Sequence, residues 1–348
     1  METVRIGDRV VGGGAPVYVI AEAGSNHDRD LDQAKRLIDV AAEAGADAVK
    51  FQTFAADRIV AETTTRAKYL DDLLPPDKTM SELFRELELP REWHADLFRH
   101  ATDAGLDFLS TPFDFEAVDL LDELGVKAFK VASYELWHLP LIREVASRGK
   151  PIICSTGMAD LADVQDAVDT VASTGNDQLI LLHCVVNYPP PFVDLNLRAI
   201  ETMRTAFNVP VGYSDHSPGI TAPVVATALG AAVIEKHYTL SRGLPGPDHK
   251  FAIEPEELTA MVRAIRDAQD ALGTGIKRMA PAETDLYTTA RRSLFAARDI
   301  AEGSVLSADD IVVLRPGTGI EVRDLDKVVG RTARRAIGRH EPLAWDMF

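Results

Sequence analysis

Cysteine and long apolar runs are both scarce in this chain. Of 348 residues only Cys154 and Cys184 carry a thiol, and each lies inside a short apolar run. Buried free thiols in a reducing compartment are therefore expected, rather than a disulfide framework. No apolar stretch approaches the roughly 20 residues of a membrane span, and the first residues hold no apolar leader core. These absences predict a cytoplasmic protein that does not enter membranes.

Positive charge is also in short supply. The chain has 37 Lys and Arg against 54 Asp and Glu, a formal net charge of −17 at pH 7. This balance argues against nucleic acids and anionic membrane surfaces as partners. A small anionic substrate would need a locally basic pocket, which draws attention to the few lysines inside apolar runs.

Eight short apolar runs of β-type residues recur along the first three quarters of the chain. They lie at 17–23, 48–54, 108–113, 128–133, 152–156, 179–185, 209–215 and 233–239. Nearly every run ends in reactive polar residues, and a helix-patterned stretch such as 30–44 or 195–207 precedes the next. Strand, polar end and helix repeated eight times predict an α/β fold, a (β/α)8 TIM barrel with its chemistry at the C-terminal face.

The pattern changes after the eighth unit. We predict a catalytic barrel domain at 1–275, a linker at 276–292 and a small β-rich domain at 293–348. A weak repeat marks the last domain: Ile300-x-x-Gly303-x-x-Leu306-x-x-Asp309 is echoed by Ile337-x-x-His340-x-x-Leu343-x-x-Asp346. A module this small is marginal alone and is expected to pack against a barrel, its own or a partner's.

Two histidines follow neighbouring runs. His216 comes after the seventh run, and His237 lies in the eighth. Adjacent strands of a barrel bring such side chains within reach of one ion, and imidazole suits Zn, Mn, Fe or Co. Two protein ligands would leave the open positions of a catalytic metal. A purely structural, hydrogen-bonded role is the alternative.

A second set of strand-end residues combines ammonium and hydroxyl groups. Its members are Lys50, Thr111, Lys130, Ser133, Ser155 and Ser214. Converging donors of this kind form a pocket for phosphate or carboxylate. Lysines paired with acidic strand residues would be the structural alternative, and Lys130 or Lys236 could instead form a Schiff base with a carbonyl substrate.

Glu22 lies one strand from Lys50. A carboxylate beside an anion pocket and a metal could serve as a general acid or base. A salt bridge to Lys50 or Lys236 is the competing role, and the two can apply at different steps.

Taken together, these motifs resemble the sialic acid synthase family, the phosphoenolpyruvate-condensing enzymes that make nonulosonic acids. The matching segments are AEAGSNH at 21–27, KFQT at 50–53, STPFD at 110–114, FKVAS at 129–133, STGM at 155–158, YSDH at 213–216, EKH at 235–237 and GPDHK at 246–250. LRPG at 314–317 fits the antifreeze-like (SAF, β-clip) C-terminal domain of that family.

The resemblance assigns roles to individual residues. It implies that Lys50, Thr111, Lys130, Ser133, Ser155 and Ser214 hold phosphoenolpyruvate, and that Glu22, Gln52, Tyr188 and Asp248 face the sugar. Glu135 is a further candidate for substrate binding. It further implies that His216 and His237 bind a divalent ion, commonly Mn2+, with Mg2+ or Co2+ as alternatives. Arg315 would come from the partner chain of a homodimer with swapped SAF domains and touch the N-acyl group.

The implied activity is condensation of phosphoenolpyruvate with an N-acylated aldohexose and water, giving a nonulosonic acid and phosphate. N-acetylmannosamine is the expected acceptor; legionaminic, pseudaminic or spore-coat polysaccharide synthesis are alternatives within the family. A Schiff-base aldolase is the alternative of another class. The long connection after the second run, which includes Tyr69, is a candidate substrate contact.

Overall fold

The computed structural model describes residues 3–62 and 79–348. Tyr69 lies outside the described residues. Across these two ranges, none of the helices combines the length and apolarity needed to cross a membrane.

An eight-stranded parallel sheet organises the larger part of the chain. After a short antiparallel hairpin of β1 (Thr3–Ile6) and β2 (Arg9–Gly12), its strands are β3 (Tyr18–Gly24), β4 (Ala48–Thr53), β5 (Asp107–Pro112), β6 (Phe129–Val131), β7 (Ile152–Ser155), β8 (Leu179–Cys184), β9 (Val211–Asp215) and β10 (Val233–His237). Their order in the sheet is β5-β4-β3-β10-β9-β8-β7-β6. The first strand therefore pairs with the last, as in a barrel, and β5 lies beside β6. The eight runs and the predicted fold class are confirmed.

Helices connect the strands and cover the outside of the sheet. They are α1 (Leu31–Glu43), α2 (Ala56–Ile59), α3 (Met80–Leu87), α4 (His94–Asp103), α5 (Phe115–Leu124), α6 (Leu139–Ser147), α7 (Leu161–Ala172), α8 (Ala199–Phe207), α9 (Thr221–Ala228) and α10 (Pro255–Leu272). Several begin at an aspartate that caps free backbone N–H groups; Asp30 accepts from the N–H of Gln33 and Asp114 from that of Ala117. Some polar residues after strands thus serve the helix start rather than chemistry.

One predicted helix starts later than its pattern suggested. The stretch 195–207 read as helical throughout, but α8 begins at Ala199. Asn196 has a φ of 43°, which lies in the left-handed region and interrupts a right-handed helix. The carbonyl of Leu195 instead accepts a hydrogen bond from Nε2 of His183.

The N-terminal hairpin closes one end of the barrel. Ile6 and Val11 are fully buried and belong to the same apolar cluster as Tyr18, Ile20 and other side chains from inside the barrel. The larger apolar cluster lies between the sheet and the surrounding helices. The carboxyl ends of the strands, at the opposite end, are left for a site.

The chain divides into two compact units, residues 1–273 and 274–348. The second contains α11 (Thr284–Thr289), β11 (Ser293–Ala296), β12 (Ile311–Leu314) and α12 (Leu325–Val328). β11 and β12 pair antiparallel, and Leu294, Leu306 and Leu343 contribute to a core of the unit's own.

The sequence repeat of the second unit is also a repeat of backbone geometry. Ile300 and Ile337, the first residues of the two half-motifs, form an antiparallel bridge and exchange both backbone hydrogen bonds. Gly303 and His340 occupy equivalent places and both have positive φ, 81° and 62°. The half-motifs therefore adopt one conformation and face each other.

Candidate active site

A cavity opens at the carboxyl ends of the barrel strands, with about 300 Å3 of space for water-sized molecules. It is lined by all the predicted site residues of the barrel: Glu22, Lys50, Gln52, Thr111, Lys130, Ser133, Glu135, Ser155, Tyr188, Ser214, His216, His237 and Asp248. A cavity of this size with a few convergent polar groups is typical of a small-molecule site. Arg315 belongs to the second unit, where it is exposed after β12.

Four buried charges form the floor of the cavity. Nζ of Lys50 lies 2.8 Å from Oε2 of Glu22, 3.2 Å from Oγ1 of Thr111 and 3.7 Å from Oε1 of Glu235. Nζ of Lys130 lies 3.6 Å from the same Glu235 oxygen. Two ammonium groups and two carboxyl groups thus alternate in this ionic floor.

Hydroxyl groups complete the floor on the side of Lys130. Its ammonium donates to Oγ of Ser155 at 2.8 Å, and Oγ of Ser214 donates to Glu235 at 3.2 Å. Oγ of Ser133 accepts from the N–H of Gly157 at 2.9 Å. A side chain at Gly157 would collide, because its Cβ would lie 2.4 Å from Val186. The backbone approaches closely here, so Ser133 is held in one place.

The two carboxylates of the ionic floor differ in their protonation. Burial, opposed by Lys50, raises the pKa of Glu22 to about 7. Burial also acts to raise the pKa of Glu235, but Lys130 and Lys50 outweigh it and lower that pKa. Near neutral pH Glu235 is therefore charged, whereas Glu22 can bind or release a proton. Nε2 of Gln52 donates to Oε1 of Glu22 at 2.9 Å and fixes its orientation.

Glu135 lies in the wall of the cavity and is half-buried. It belongs to the turn that follows β6, and burial raises its pKa to about 7. The hydroxyls of Tyr134 and Tyr188, which also line the cavity, lie 3.5 Å apart. This part of the wall offers neutral or weakly charged hydrogen-bonding groups, which suit an uncharged polar ligand.

The histidine pair lies on one side of the cavity. The ring centroids of His216 and His237 are 5.4 Å apart. Nδ1 of His216 lies 3.0 Å from the carbonyl of Val185, which leaves Nε2 available as a ligand, the usual arrangement of metal-binding histidines. Nδ1 of His237 is buried without a hydrogen-bond partner and lies 3.9 Å from Oδ2 of Asp248.

These donors fit a divalent ion held by two imidazoles. Burial lowers the pKa of His237 well below its usual value, so the ring is neutral, the form that binds metals. Within residues 3–62 and 79–348, no group of three or more His, Cys, Asp or Glu side chains is placed to hold an ion. The remaining positions of such an ion would have to be filled by water or substrate oxygens.

Lys236 does not share the cavity with its neighbours on β10. Side chains alternate along a strand, so Glu235 and His237 face inward and Lys236 faces away. It forms a buried ion pair with Asp215 and donates to the carbonyl of Ser217 at 2.6 Å. Of the two lysines considered for Schiff-base chemistry, only Lys130 lines the cavity.

The expectation that strand lysines pair with acidic strand residues is confirmed, since Glu22 pairs with Lys50 and Glu235 with both Lys50 and Lys130. Sequence reasoning missed two features of this cavity. The first is that Glu235 itself lines it, for which its place two residues before His237 was the available signal. The second feature is an apolar wall, made by Phe54, Ile59, Val60, Leu83, Phe84, Leu87 and Phe113. The rings of Phe84 and Phe113 each pack 5.7 Å from that of Phe54.

A barrel with an ionic floor and a histidine pair at the carboxyl ends of its strands belongs to the class of barrel proteins with a small-molecule site at that face. A model of the NeuB family matches residues 37–277, and a SAF domain model matches residues 291–348. The chain therefore belongs to the NeuB family, which confirms the resemblance to sialic acid synthases.

Individual relatives agree with this family. The N,N'-diacetyllegionaminic acid synthase of Legionella pneumophila is 43% identical over 333 residues, covering 94% of each chain. The pseudaminic acid synthase of Helicobacter pylori is 34% identical, covering 95% of this chain and 97% of the relative. The N-acetylneuraminic acid (sialic acid) synthetase of Leptospira borgpetersenii, solved in complex with citrate, superposes with a TM-score of 0.73 at 34% identity, covering 82% of this chain and 95% of that one.

Proposed function

We propose that this protein condenses phosphoenolpyruvate with an N-acylated aldohexose and water, giving a nonulosonic acid and phosphate. The observation that carries the proposal is the ionic floor: two buried lysines and their hydroxyl neighbours lie in one cavity with the histidine pair. Phosphoenolpyruvate carries a phosphate and a carboxylate, and the two ammonium groups together with the hydroxyls of Thr111 and Ser155 offer donors for these anionic oxygens.

The reaction follows from these groups. C3 of phosphoenolpyruvate forms a bond to the aldehyde carbon of the open-chain sugar, the aldehyde oxygen takes a proton, and water adds at C2. The resulting tetrahedral phosphate ester breaks its C2–O bond, releasing phosphate and leaving the 2-keto acid. Lys50 and Lys130 stabilise the negative charge of the departing phosphate. Glu22, with its pKa of about 7, carries a proton to or from a reacting oxygen.

The histidine pair supplies the second half of the proposal. His216 and His237 would hold a divalent ion, for which Mn2+ is our first choice and Mg2+ or Co2+ the alternatives. Such an ion, when bound, supplies Lewis-acid polarisation of the aldehyde carbonyl. Tyr188, whose ring centroid lies 4.4 Å from that of His216, and Asp248, 3.9 Å from His237, would then orient the sugar beside it.

For the acceptor we favour a 2,4-diacetamido-trideoxy sugar over N-acetylmannosamine. The relative at 43% identity is named for a product with two N-acetyl groups. The apolar wall supports the same choice, since Val60, Phe84 and Leu87 suit methyl groups where N-acetylmannosamine has hydroxyls.

Phosphate release from phosphoenolpyruvate should be measured against both acceptors with Mn2+ present. We expect kcat/KM to be at least about tenfold higher for the diacetamido sugar, because a buried methyl contributes roughly 1–3 kcal/mol to discrimination. Val60→Thr replaces one methyl group of the side chain by a hydroxyl of similar size. It should reduce the ratio of kcat/KM for the diacetamido sugar to kcat/KM for N-acetylmannosamine. Equal or higher kcat/KM for N-acetylmannosamine would favour the sialic acid activity, and no phosphate release with any N-acyl aldohexose would contradict the proposed function.

We also propose that the working unit is a homodimer in which the SAF domain of one chain serves the barrel of the other. Arg315 is exposed at the end of β12, where its guanidinium can approach a ligand on another chain. The described barrel cavity offers no arginine for an N-acyl carbonyl.

Arg315→Ala should lower kcat/KM for the acceptor at least about tenfold, since a lost charged hydrogen bond costs roughly 1.5–3 kcal/mol. Adding an excess of inactive His216→Ala chains should then raise the turnover of each Arg315→Ala chain. In a mixed dimer, the intact barrel of the Arg315→Ala chain receives the intact Arg315 of the His216→Ala chain. Exposed Arg323→Ala serves as the control substitution in the same unit. Unchanged turnover after demonstrated subunit exchange would place the arginine's action within its own chain.

A further inference from the structure

The connection between β10 and α10 brings Asp248 to the cavity. Between Ser241 and Phe251 this connection is exposed or half-buried, with one exception: His249 is fully buried. A buried imidazole inside an otherwise exposed segment needs a specific reason, because its polar atoms must find partners.

Both ring nitrogens of His249 are engaged. Nε2 lies 3.0 Å from each carboxylate oxygen of Asp28, and Nδ1 lies 2.6 Å from Oγ1 of Thr239. Asp28 is held in turn by Nε2 of Gln33 at 2.8 Å. The ring therefore connects Thr239, just after β10, to Asp28 in the turn after β3. His249 and Asp28 are 221 residues apart along the chain.

The backbone passes close over this contact. A Cβ placed on Gly246 would lie 2.8 Å from Oδ1 of Asp28 and 2.9 Å from Cδ2 of His249. Asp28 itself has a φ of 47°, a left-handed conformation that costs energy for a residue other than glycine. The turn and the connection are thus shaped to bring the carboxylate and the imidazole together.

Asp248 is attached to the same turn by a second bond. Its Oδ2 lies 3.2 Å from Oγ of Ser25, which belongs to the turn that holds Asp28. The same oxygen lies 3.9 Å from Nδ1 of His237. Since Asp248 directly precedes His249 in the chain, the buried ring holds the backbone that carries Asp248, and Ser25 then orients its carboxylate.

We propose that His249, Asp28 and Thr239 act as a positioning latch, which holds the connection between β10 and α10 so that Asp248 can bind the acceptor sugar. This inference rests on the proposed function, which gives Asp248 a sugar to bind. None of the three latch residues lines the cavity, so they are positioning residues rather than catalytic ones.

The latch should be tested with Asp28→Asn and Thr239→Val, which keep the size of the side chain, with Thr239→Ser as the conservative variant. We expect KM for the acceptor to rise roughly tenfold or more, because a misplaced binding group loses its interaction steeply with distance. KM for phosphoenolpyruvate should stay within about twofold. Asp32→Asn, at an exposed position of α1, is the matched control, and Thr239→Ser should restore the parent KM.

A double-mutant cycle separates positioning from general destabilisation. In an Asp248→Ala background, Asp28→Asn should have no further effect on KM for the acceptor, because the group that the latch positions is already absent. If the two substitutions instead raise KM for the acceptor by factors that multiply in the double variant, the latch does not act through Asp248. An unchanged KM for the acceptor in Asp28→Asn alone would overturn the inference.

Amide hydrogen exchange tests the latch without turnover. Asp28→Asn should accelerate exchange across residues 241–251 and leave the barrel strands unchanged. If the parent protein releases no phosphate, the proposed function fails. The exchange measurement still shows whether the latch holds residues 241–251 in place. Unaltered exchange at 241–251 in both Asp28→Asn and Thr239→Val would overturn it.

Discussion

Replacing His237 with alanine is expected to abolish turnover while the melting temperature stays near that of the parent. The side chain projects from the end of β10 into the cavity, and the mouth of a barrel contributes little to the core. Its Nδ1 is buried without a hydrogen-bond partner, so the alanine variant leaves no protein group newly unpaired there. His216→Ala should also abolish turnover, with a somewhat lower melting temperature, because the carbonyl of Val185 loses its contact with Nδ1 of His216.

Bound metal gives a second readout for the histidine pair. The parent protein should lose activity with a chelator and regain it with Mn2+, and each alanine variant should bind Mn2+ more weakly by titration. His100→Ala, at a partly exposed histidine that pairs with Asp39 at 2.7 Å, is the matched control and should change neither property. A double variant that remains active and resists chelator would contradict the metal assignment.

Glu22→Gln should lower kcat about 100-fold or more with little change in KM for either substrate. The amide keeps the shape of the carboxyl group and one oxygen that accepts a hydrogen bond, but it cannot carry a proton. Because the pKa of Glu22 is raised to about 7, the kcat of the parent should depend on an ionisation near neutral pH, and the variant should lack it. Glu123→Gln, exposed at the end of α5, is the control.

Two results would assign Glu22 a different role. Near-normal kcat in Glu22→Gln would make its contact with Lys50 structural. A rise in KM for phosphoenolpyruvate at unchanged kcat would mean that the carboxyl group tunes Lys50 for binding rather than transferring a proton.

The barrel and most of its cavity could be predicted because each strand can be recognised from its own short stretch of sequence. An apolar run followed by polar residues needs no knowledge of distant parts of the chain, and parallel strands must end at a common face. Lys50, Thr111 and Ser155 come from three separate runs, yet this rule alone places them together.

Other features depend on contacts between distant parts of the chain, which no local sequence pattern predicts. His249 meets Asp28 across 221 residues, and the connection that carries it has no periodicity to read. The bridging position of Glu235 follows from the inward face of β10, which becomes certain only when the register with its neighbours is known. The late start of α8 depends on a single left-handed residue, Asn196, inside an otherwise helical pattern.

The two half-motifs of the second unit depend on each other. They share a left-handed position, at Gly303 and His340, and exchange backbone hydrogen bonds through Ile300 and Ile337. Each half-motif therefore supplies the backbone partner that the other needs, so removing either one leaves the N–H and C=O groups of the remaining isoleucine unpaired. The module is consequently expected to unfold as one cooperative unit and not half by half.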